Sequence, residues 1–202
     1  MILDRFYPIF DSAAWLERLL PLGIRLVQLR LKDRDDADVR AEIRRALAVC
    51  ATHGCQLVVN DHWQQAIDAG GDFIHLGQED LDMADVVAIR RAGLRMGLST
   101  HDESEMDRAL ALRPAYIALG PVYPTILKQM KWSAQGLERV GEWKRRLGTT
   151  PLVAIGGMSV ERAPGALDAG ADAVAAVTDI TRHANPEARV ADWLRVTRRV
   201  GP

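Results

Sequence analysis

Three polar side chains alternate along one short segment of the chain. Between Leu26 and Lys32, the residues Gln28, Arg30 and Lys32 stand two apart, and apolar residues occupy the positions between them. In a β-strand, this spacing places the three polar side chains on one face. Burying cations without partners is very costly, so we expect Arg30 and Lys32 to face a bound anion. A half-solvated antiparallel strand would show the same pattern without any ligand.

Carboxylates follow the next two apolar runs. Asn60 and Asp61 end the run that begins at Gln56, and Asp80 follows the run that begins at Phe73. Protein-bound Mg²⁺ commonly takes one or two carboxylates and completes its oxygen shell with substrate phosphates. Asp61 and Asp80 are therefore candidate ligands of Mg²⁺, the expected cofactor. Capping of the helix that follows is the alternative role for each aspartate.

Further segments of β-like sequence end in polar residues or glycine. They end in Ser99-Thr100-His101, in Ile155-Gly156-Gly157 and in Val177-Thr178. Successive glycines can form a nest of backbone N–H groups that binds phosphate, although an ordinary tight turn would also use them. The longest connection follows Gly120 and contains Thr125 and Lys128. A loop of this length in a compact domain is usually functional, and Lys128 is placed to close over a ligand.

Short apolar runs alternate with helical patterns along the whole chain. The runs begin near Phe6, Leu26, Gln56, Phe73, Arg95, Tyr116, Leu152 and Ala173. Asp102 and Ser159 are predicted to begin helices, and Gly54 and Gly93 to end them. Eight alternations predict one α/β domain over residues 1–202, a single (β/α)₈ TIM barrel with parallel strands. Active sites of such barrels lie at the carboxyl ends of the strands, where the residues above would meet. An open doubly wound sheet is the alternative, but no G-x-G-x-x-G follows the first run.

The turns into the fourth and eighth predicted strands resemble each other. Residues 67–74 read IDAGGDFI, and residues 167–174 read LDAGADAV. Duplication of a half-barrel would produce this similarity. Convergence of helix–strand turns on Ala-Gly for capping would produce it equally well.

Composition describes a globular chain without a strong charge bias. Of the 202 residues, 48% are hydrophobic and 26% are charged, and the net charge is −1. Neither a basic excess for nucleic acid nor an apolar run long enough for a membrane is present. Cys50 and Cys55 lack metal-site or redox spacing, so we expect free thiols in a reducing, cytoplasmic setting. The expected partners are small molecules, and homo-oligomerisation is left open.

Taken together, these motifs resemble the thiamine phosphate synthase family over nearly the whole chain. The matching segments are Gln28-Leu29-Arg30-Leu31-Lys32, Asn60-Asp61, His75-Leu76-Gly77-Gln78-Glu79-Asp80, Ser99-Thr100-His101, Gly120-Pro121-Val122-Tyr123-Pro124-Thr125, Lys128 and Ala154-Ile155-Gly156-Gly157. The resemblance implies a (β/α)₈ transferase that joins hydroxymethylpyrimidine diphosphate to thiazole phosphate with Mg²⁺. The products would be thiamine phosphate and diphosphate.

The resemblance also implies roles for individual residues. The pyrimidine diphosphate would be held by Gln28, Arg30, Lys32, Asn60, Ser99 and Lys128, with His75 also in the substrate site. Of these, Arg30, Lys32, Ser99 and Lys128 would be catalytic. Asp61 and Asp80 would bind magnesium. Thr125, Gly157, Val177 and Thr178 would hold the thiazole phosphate.

Two positions depart from the family pattern, and two other functions remain open. Leu127 stands where a phosphate-facing threonine is expected, and Asp179 adds a negative charge close to the implied thiazole phosphate site. A thiazole tautomerase of similar sequence would need a proton-shuttling histidine, where this chain has Pro121. A non-catalytic barrel that binds a phosphorylated ligand is the other alternative. Release of diphosphate in the presence of the two substrates would distinguish a synthase from both of these alternatives.

Overall fold

Eight parallel strands form a closed barrel in the computed structural model, which describes residues 3–125 and 132–198. The strands are β1 Phe6–Phe10, β2 Leu26–Leu29, β3 Gln56–Asn60, β4 Phe73–Leu76, β5 Arg95–Thr100, β6 Tyr116–Leu119, β7 Leu152–Ala154 and β8 Ala173–Ala176. Each begins at the predicted residue. Neighbours in the sequence pair in parallel, and β8 closes on β1, with Tyr7 opposite Ala175. The predicted (β/α)₈ barrel is confirmed, and the open sheet is excluded.

Helices connect the strands along the outside of the barrel. They are α1 Ala13–Leu19 with a 3₁₀ turn at Leu20–Leu22, α2 Asp36–His53, α3 Trp63–Asp68, α4 Gln78–Met83, α5 Val86–Arg91, α6 Glu103–Ala111, α7 Gly136–Leu147, α8 Ala163–Asp168, α9 Thr178–Thr181 and α10 Pro186–Arg198. Within the described ranges, no helix has the length and apolar character needed to cross a membrane. Cys50 and Cys55 are both free, as expected, and both are buried.

Three of the four predicted helix boundaries are confirmed. The Asp102 side chain accepts a hydrogen bond from the backbone of α6, and Gly54 and Gly93 follow α2 and α5 with positive φ angles of 60° and 76°. The prediction for Ser159 is wrong, because α8 begins only at Ala163. Pro164 explains the difference. Proline lacks an N–H and is tolerated in the first turn of a helix, so the helix begins beside it.

The two similar turns share one capping geometry. Gly70 and Gly170 follow α3 and α8 with φ angles of 78° and 110°. Each glycine N–H bonds the carbonyl three residues earlier, and the next N–H bonds the carbonyl five residues earlier (Gly70 to Ile67, Gly71 to Ala66, Gly170 to Leu167 and Ala171 to Ala166). This is the Schellman motif, which favours glycine for its left-handed backbone. Capping therefore accounts for the similarity without a duplication.

The barrel interior is a packed core rather than a channel. Nearly every strand residue is buried, as expected for parallel strands covered by helices on one face and by the interior on the other. The interior cluster consists of Leu3, Tyr7, Ile9, Leu26, Val58, Phe73, Tyr116, Ala118, Val153, Ala173 and Ala175. Polar groups for a ligand are therefore concentrated at the carboxyl ends of the strands.

Gly97 in β5 makes room for the largest interior ring. It pairs with Tyr116 of β6, and a Cβ atom at Gly97 would lie 2.2 Å from Cζ of that tyrosine and 2.6 Å from its hydroxyl oxygen. Real side chains do not approach so closely. Because position 97 has no side chain, the Tyr116 ring can lie across the interior toward β4.

We predict opposite effects on stability for two glycine-to-alanine substitutions. Gly97→Ala should lower the free energy of unfolding by about 1–3 kcal/mol, because the added methyl group overlaps the Tyr116 ring. Gly141→Ala, within α7 and with its nearest neighbouring atoms 3.5 Å away, should raise that free energy by about 0.5–1 kcal/mol. Urea unfolding followed by circular dichroism measures both. Equal stability of the two variants would contradict the packing described for Tyr116.

Candidate active site

The polar residues after β2 keep their predicted alternation but differ in burial. Gln28 lies within the barrel and is 3% exposed, whereas Arg30 and Lys32 lie beyond the end of the strand and are exposed. Leu31 between them is buried, and the Arg30 N–H still bonds the carbonyl of Phe10 in β1 at 2.8 Å. The antiparallel alternative is wrong, because β2 is parallel to both of its neighbours. The two cations therefore lie at the rim of the barrel, where the carboxyl ends of the strands meet.

Lys32 and Asp61 form an ion pair at the carboxyl ends of β2 and β3. Asp61 has a left-handed backbone, with φ of 64°, and its N–H bonds the His75 carbonyl of β4 at 2.9 Å. Such a conformation in a residue other than glycine costs about 1–3 kcal/mol. His62, rather than Asp61, occupies the N-cap of α3, so the capping alternative for Asp61 is wrong. Its carboxylate instead points to Lys32.

Asp80 brings a second carboxylate to the same place. It lies in the first turn of α4, within hydrogen-bonding reach of the Asp61 carboxylate. Partial burial raises the pKa of Asp80, the charge and hydrogen bond of Asp61 raise it further, and Lys32 opposes the shift. Two adjacent carboxylates balanced by one lysine make an electrostatically favourable place for another cation. Over the residues the structure describes, no cluster of three or more His, Cys, Asp or Glu side chains forms a complete metal site.

A line of hydrogen bonds crosses the barrel interior beneath these charges. Gln28 Nε2 donates to the Tyr7 hydroxyl at 2.9 Å, which lies 2.9 Å from the Tyr116 hydroxyl. The Tyr116 hydroxyl lies 2.8 Å from Nδ1 of His75, and Nε2 of His75 lies 2.8 Å from Oγ of Ser99. We call these five residues the interior chain. It links three predicted substrate residues, Gln28, His75 and Ser99, to tyrosines that sequence reasoning missed.

Burial determines the protonation of the interior chain. It lowers the pKa of His75 to about 4, with a further contribution from the Arg30 charge and opposition from Asp61. Burial also raises the pKa values of Tyr7 and Tyr116 above the ordinary range. At neutral pH the imidazole and both phenols are therefore uncharged. The one sequence signal for the tyrosines is the glycine at position 97 in the middle of a strand, which allows a large ring from a neighbour.

Two polar groups at the same end of the barrel as the ion pair lack partners among the described residues. Across residues 3–125 and 132–198, neither the Arg30 guanidinium nor the Asn60 side-chain amide makes a hydrogen bond or an ion pair with the protein. Asn60 is nevertheless only 6% exposed, and it pairs with His75 across β3 and β4. Buried polar groups usually have hydrogen-bond partners. Both side chains are therefore available to a polar ligand at the rim.

The loops after β6 and β7 pack against each other at another part of the rim. The Tyr123 N–H bonds the Gly156 carbonyl at 3.0 Å, and a Cβ atom at Gly157 would lie 2.5 Å from the Pro124 carbonyl oxygen. Thr125 directly follows Pro124, on the loop that packs against Gly157. This close backbone approach is by itself a sufficient reason for the glycines. The phosphate nest at Gly157 stays a prediction.

The rim after β8 holds Val177 and Thr178, both half-buried. The expected negative charge of Asp179 is paired in the structure. Arg189 of α10 donates two hydrogen bonds of 2.8 Å to its carboxylate, and the Trp193 indole donates a third of 2.8 Å. The carboxylate is thus occupied by the contact between α9 and α10. Its charge is balanced by Arg189, so a phosphate on this arc would not meet an unpaired carboxylate.

Part of the predicted site lies outside the described residues. Lys128 and Leu127 belong to residues 126–131, and Thr125 is the last described residue before them. On the other side, the Trp132 ring stacks on His101 at 5.5 Å, and Gln135 donates to the His101 carbonyl at 2.7 Å. His101 therefore anchors the end of this loop and takes no part in the interior chain.

The structure thus arranges the predicted residues in two groups. Gln28, Arg30, Lys32, Asn60, Asp61, His75, Asp80 and Ser99 lie along β2 to β5, and Thr125, Gly157, Val177 and Thr178 lie after β6, β7 and β8. The first group combines an arginine without a partner among the described residues, a lysine paired with an aspartate, a second carboxylate and neutral donors. That combination suits a polyphosphate bound with a divalent cation.

Known proteins share the sequence pattern of this chain. A family model described as thiamine monophosphate synthase matches residues 4–180. A thiamine-phosphate synthase of Rhizobium etli is 64% identical over 98% of this chain and 97% of its own length. A protein of the same name from Klebsiella pneumoniae is 49% identical over 95% of this chain and 87% of its own.

A solved structure confirms the fold independently. The thiamine phosphate pyrophosphorylase of Pyrococcus furiosus superposes with a TM-score of 0.86 at 20% identity, covering 96% of this chain and 95% of that one. At that identity the likeness establishes the barrel alone. The family follows from the match of the family model over most of the chain, together with the close relatives. This chain belongs to the thiamine monophosphate synthase family.

Proposed function

We propose that this protein is a thiamine phosphate synthase, which transfers hydroxymethylpyrimidine from its diphosphate to thiazole phosphate. The observation that carries the proposal is the group of charges at the ends of β2, β3 and β4. There, Arg30, which has no partner within residues 3–125 and 132–198, lies at the same end of the barrel as the Lys32–Asp61 ion pair and Asp80. Family membership supports the same reaction.

The chemistry of this reaction requires anion stabilisation more than proton transfer. The bond between the pyrimidine methylene carbon and the diphosphate oxygen breaks, and the electron pair leaves with diphosphate. The electron-rich aminopyrimidine delocalises the resulting cation. The thiazole nitrogen then donates its lone pair to the methylene carbon, and no proton is lost. The protein must stabilise the leaving anion and hold two reactants in line.

The first group of residues suits the diphosphate. Arg30 offers a planar guanidinium that can donate two parallel hydrogen bonds to phosphate oxygens. Lys32 adds a second positive charge, and Asn60 and Ser99 add neutral donors. Lys128, outside the described residues, is proposed to approach the same anion from the loop after β6.

Magnesium fits the carboxylates that the structure brings together. Asp61 and Asp80 are neighbouring carboxylates whose charges interact, and Lys32 forms an ion pair with only one of them. A bound Mg²⁺ would supply positive charge to the diphosphate oxygens. The protein would contribute these two carboxylates, and phosphate or water oxygens would complete the shell.

The second group is proposed to hold the other substrate. Thr125 and the backbone at Gly157, Val177 and Thr178 would receive the thiazole phosphate. Arg189 pairs with the Asp179 carboxylate. An anion bound after β8 would therefore not meet an unpaired negative charge at Asp179, which supports anion binding there. Gln28 and His75 would contact the pyrimidine between the two groups.

The proposal also covers the setting of the reaction. Both substrates are small molecules, and we propose neither nucleic acid nor a membrane as a partner. The two cysteines are free and buried, which suits a reducing compartment such as the cytoplasm.

We predict that the protein forms thiamine phosphate and releases diphosphate when both substrates and Mg²⁺ are present. Coupled detection of diphosphate, with chromatography of the thiamine product, measures this. A thiazole tautomerase or a non-catalytic binding barrel would release no diphosphate from the same mixture. Failure to form product with both substrates and Mg²⁺ supplied would contradict the proposed function.

Asp61→Asn and Asp80→Asn should each lower turnover by at least about tenfold, because each removes a carboxylate from the proposed metal site. Raising the Mg²⁺ concentration should restore part of the activity. Asp82→Asn is the matched control, since Asp82 lies on the same helix with an exposed side chain paired to Arg108, and it should leave turnover unchanged. If either proposed ligand variant kept full activity at low magnesium, that aspartate would not belong to the site.

Arg30→Met should weaken the binding of inorganic diphosphate by about 1.5–3 kcal/mol, the value of a hydrogen bond to a charged group. The unfolding temperature of the ligand-free protein should stay unchanged, because Arg30 has no partner among the described residues. Arg34→Met is the control, as its guanidinium bonds the Asp11 carbonyl instead. Isothermal titration calorimetry and thermal unfolding measure the two quantities. Normal diphosphate binding with a lowered unfolding temperature would assign Arg30 a structural role.

A further inference from the structure

The interior chain has one order of protons that satisfies all its contacts. Gln28 Nε2 can donate but cannot accept, so the Tyr7 hydroxyl accepts at that end. The single proton of Tyr7 then goes to Tyr116, and that of Tyr116 goes to Nδ1 of His75. Because Nδ1 accepts that proton, the ring proton of His75 is on the other nitrogen, Nε2, which donates to Oγ of Ser99. In this order, each of the four hydrogen bonds has one donor and one acceptor.

The opposite order leaves a buried proton unused. If the ring proton were on Nδ1, His75 would donate to the Tyr116 hydroxyl. One of the two tyrosine protons would then have no acceptor among the described residues that line the interior. Tyr7 and Tyr116 are 1% and 0% exposed, so water cannot serve as that acceptor from the surface. An unsatisfied buried donor is costly.

We propose that Tyr7 and Tyr116 are positioning residues that hold His75 in its Nε2–H tautomer and thereby make the Ser99 hydroxyl a donor toward the rim. The oxygen of Ser99 accepts from His75, and its proton has no acceptor among the described residues. Ser99 therefore selects a ligand atom that accepts a hydrogen bond, such as a diphosphate oxygen or a ring nitrogen. Identification of that ligand as the pyrimidine diphosphate rests on the proposed function.

The proton order itself can be tested on the resting protein. A two-bond ¹H–¹⁵N correlation spectrum at neutral pH reports which ring nitrogen of each histidine carries the proton, and the loss of one pattern in His75→Asn assigns the signals of His75. The wild type should show Nε2 protonated and Nδ1 unprotonated. Tyr116→Phe removes the donor to Nδ1, so the ¹⁵N resonance of Nδ1 should shift downfield, toward the position of an imidazole nitrogen that accepts no hydrogen bond. Tyr123→Phe, a tyrosine outside the interior chain, should leave the His75 pattern unchanged.

The kinetic effect should depend on Ser99. Tyr116→Phe should raise the Michaelis constant for the pyrimidine diphosphate by about fivefold, within the value of one hydrogen bond. In a Ser99→Ala background the same substitution should change that constant by less than about 1.5-fold, because the group it positions is gone. A structural role for Tyr116 would give equal effects in both backgrounds. Thermal unfolding of all four proteins shows that each is folded.

The two kinds of failure are distinguishable. An Nδ1–H form of His75 in the wild type overturns the proposal whether or not the protein makes thiamine phosphate. Equal effects of Tyr116→Phe in the two backgrounds overturn it while the proposed function stands. Absence of thiamine phosphate from the wild-type reaction contradicts the proposed function, and the spectrum then still decides the tautomer.

Discussion

Closure of the sheet between β1 and β8 is the constraint on which the other features of this protein depend. Phe6, Tyr7 and Pro8 pair with Val174, Ala175 and Ala176. Because all eight strands are parallel, this pairing brings their carboxyl ends to a single rim. It also encloses an interior that side chains must fill at the density of a protein core. Polar groups in that interior must satisfy one another, and groups at the rim can remain free for a ligand.

The rim carries features that a protein built for stability alone would avoid. Asp61 adopts a strained backbone, and its carboxylate lies beside that of Asp80. Arg30 and Asn60 have no side-chain partner in the described part of the chain. Local rules of sequence and structure are usually broken at functional sites, where a ligand compensates for the cost. An anion with a divalent cation would satisfy all four residues together.

The two departures from the family pattern have different outcomes. Asp179 looks unfavourable in the sequence, because a carboxylate near a phosphate site should repel the ligand. In the structure its charge is paired with Arg189, which also contacts Glu161 and lowers the pKa of that glutamate to about 2. The substitution thus belongs to the contact between the last helices. Leu127 lies outside the described residues.

The sequence by itself determined the alternation of elements and the residues that end them. Strand periodicity and capping are local properties, so all eight strand starts and three of four helix boundaries were predictable. Ser159 was the exception, because the proline nearby moved the start of α8. The alternation of Gln28, Arg30 and Lys32 was equally local. Family resemblance then supplied the roles of individual residues, which neither spacing nor composition could assign.

Tertiary structure alone decided which side chains meet. Tyr7 and Tyr116 are 109 residues apart, and their hydroxyl groups touch only because the barrel closes and Gly97 leaves space for a ring. The contact of Asp61 with Asp80 likewise requires neighbouring strands to end at the same level. Hydrogen bonds and charge interactions act over a few ångströms, whereas sequence patterns report the local backbone. The direction of the proton order through His75 could therefore be read only from the folded chain.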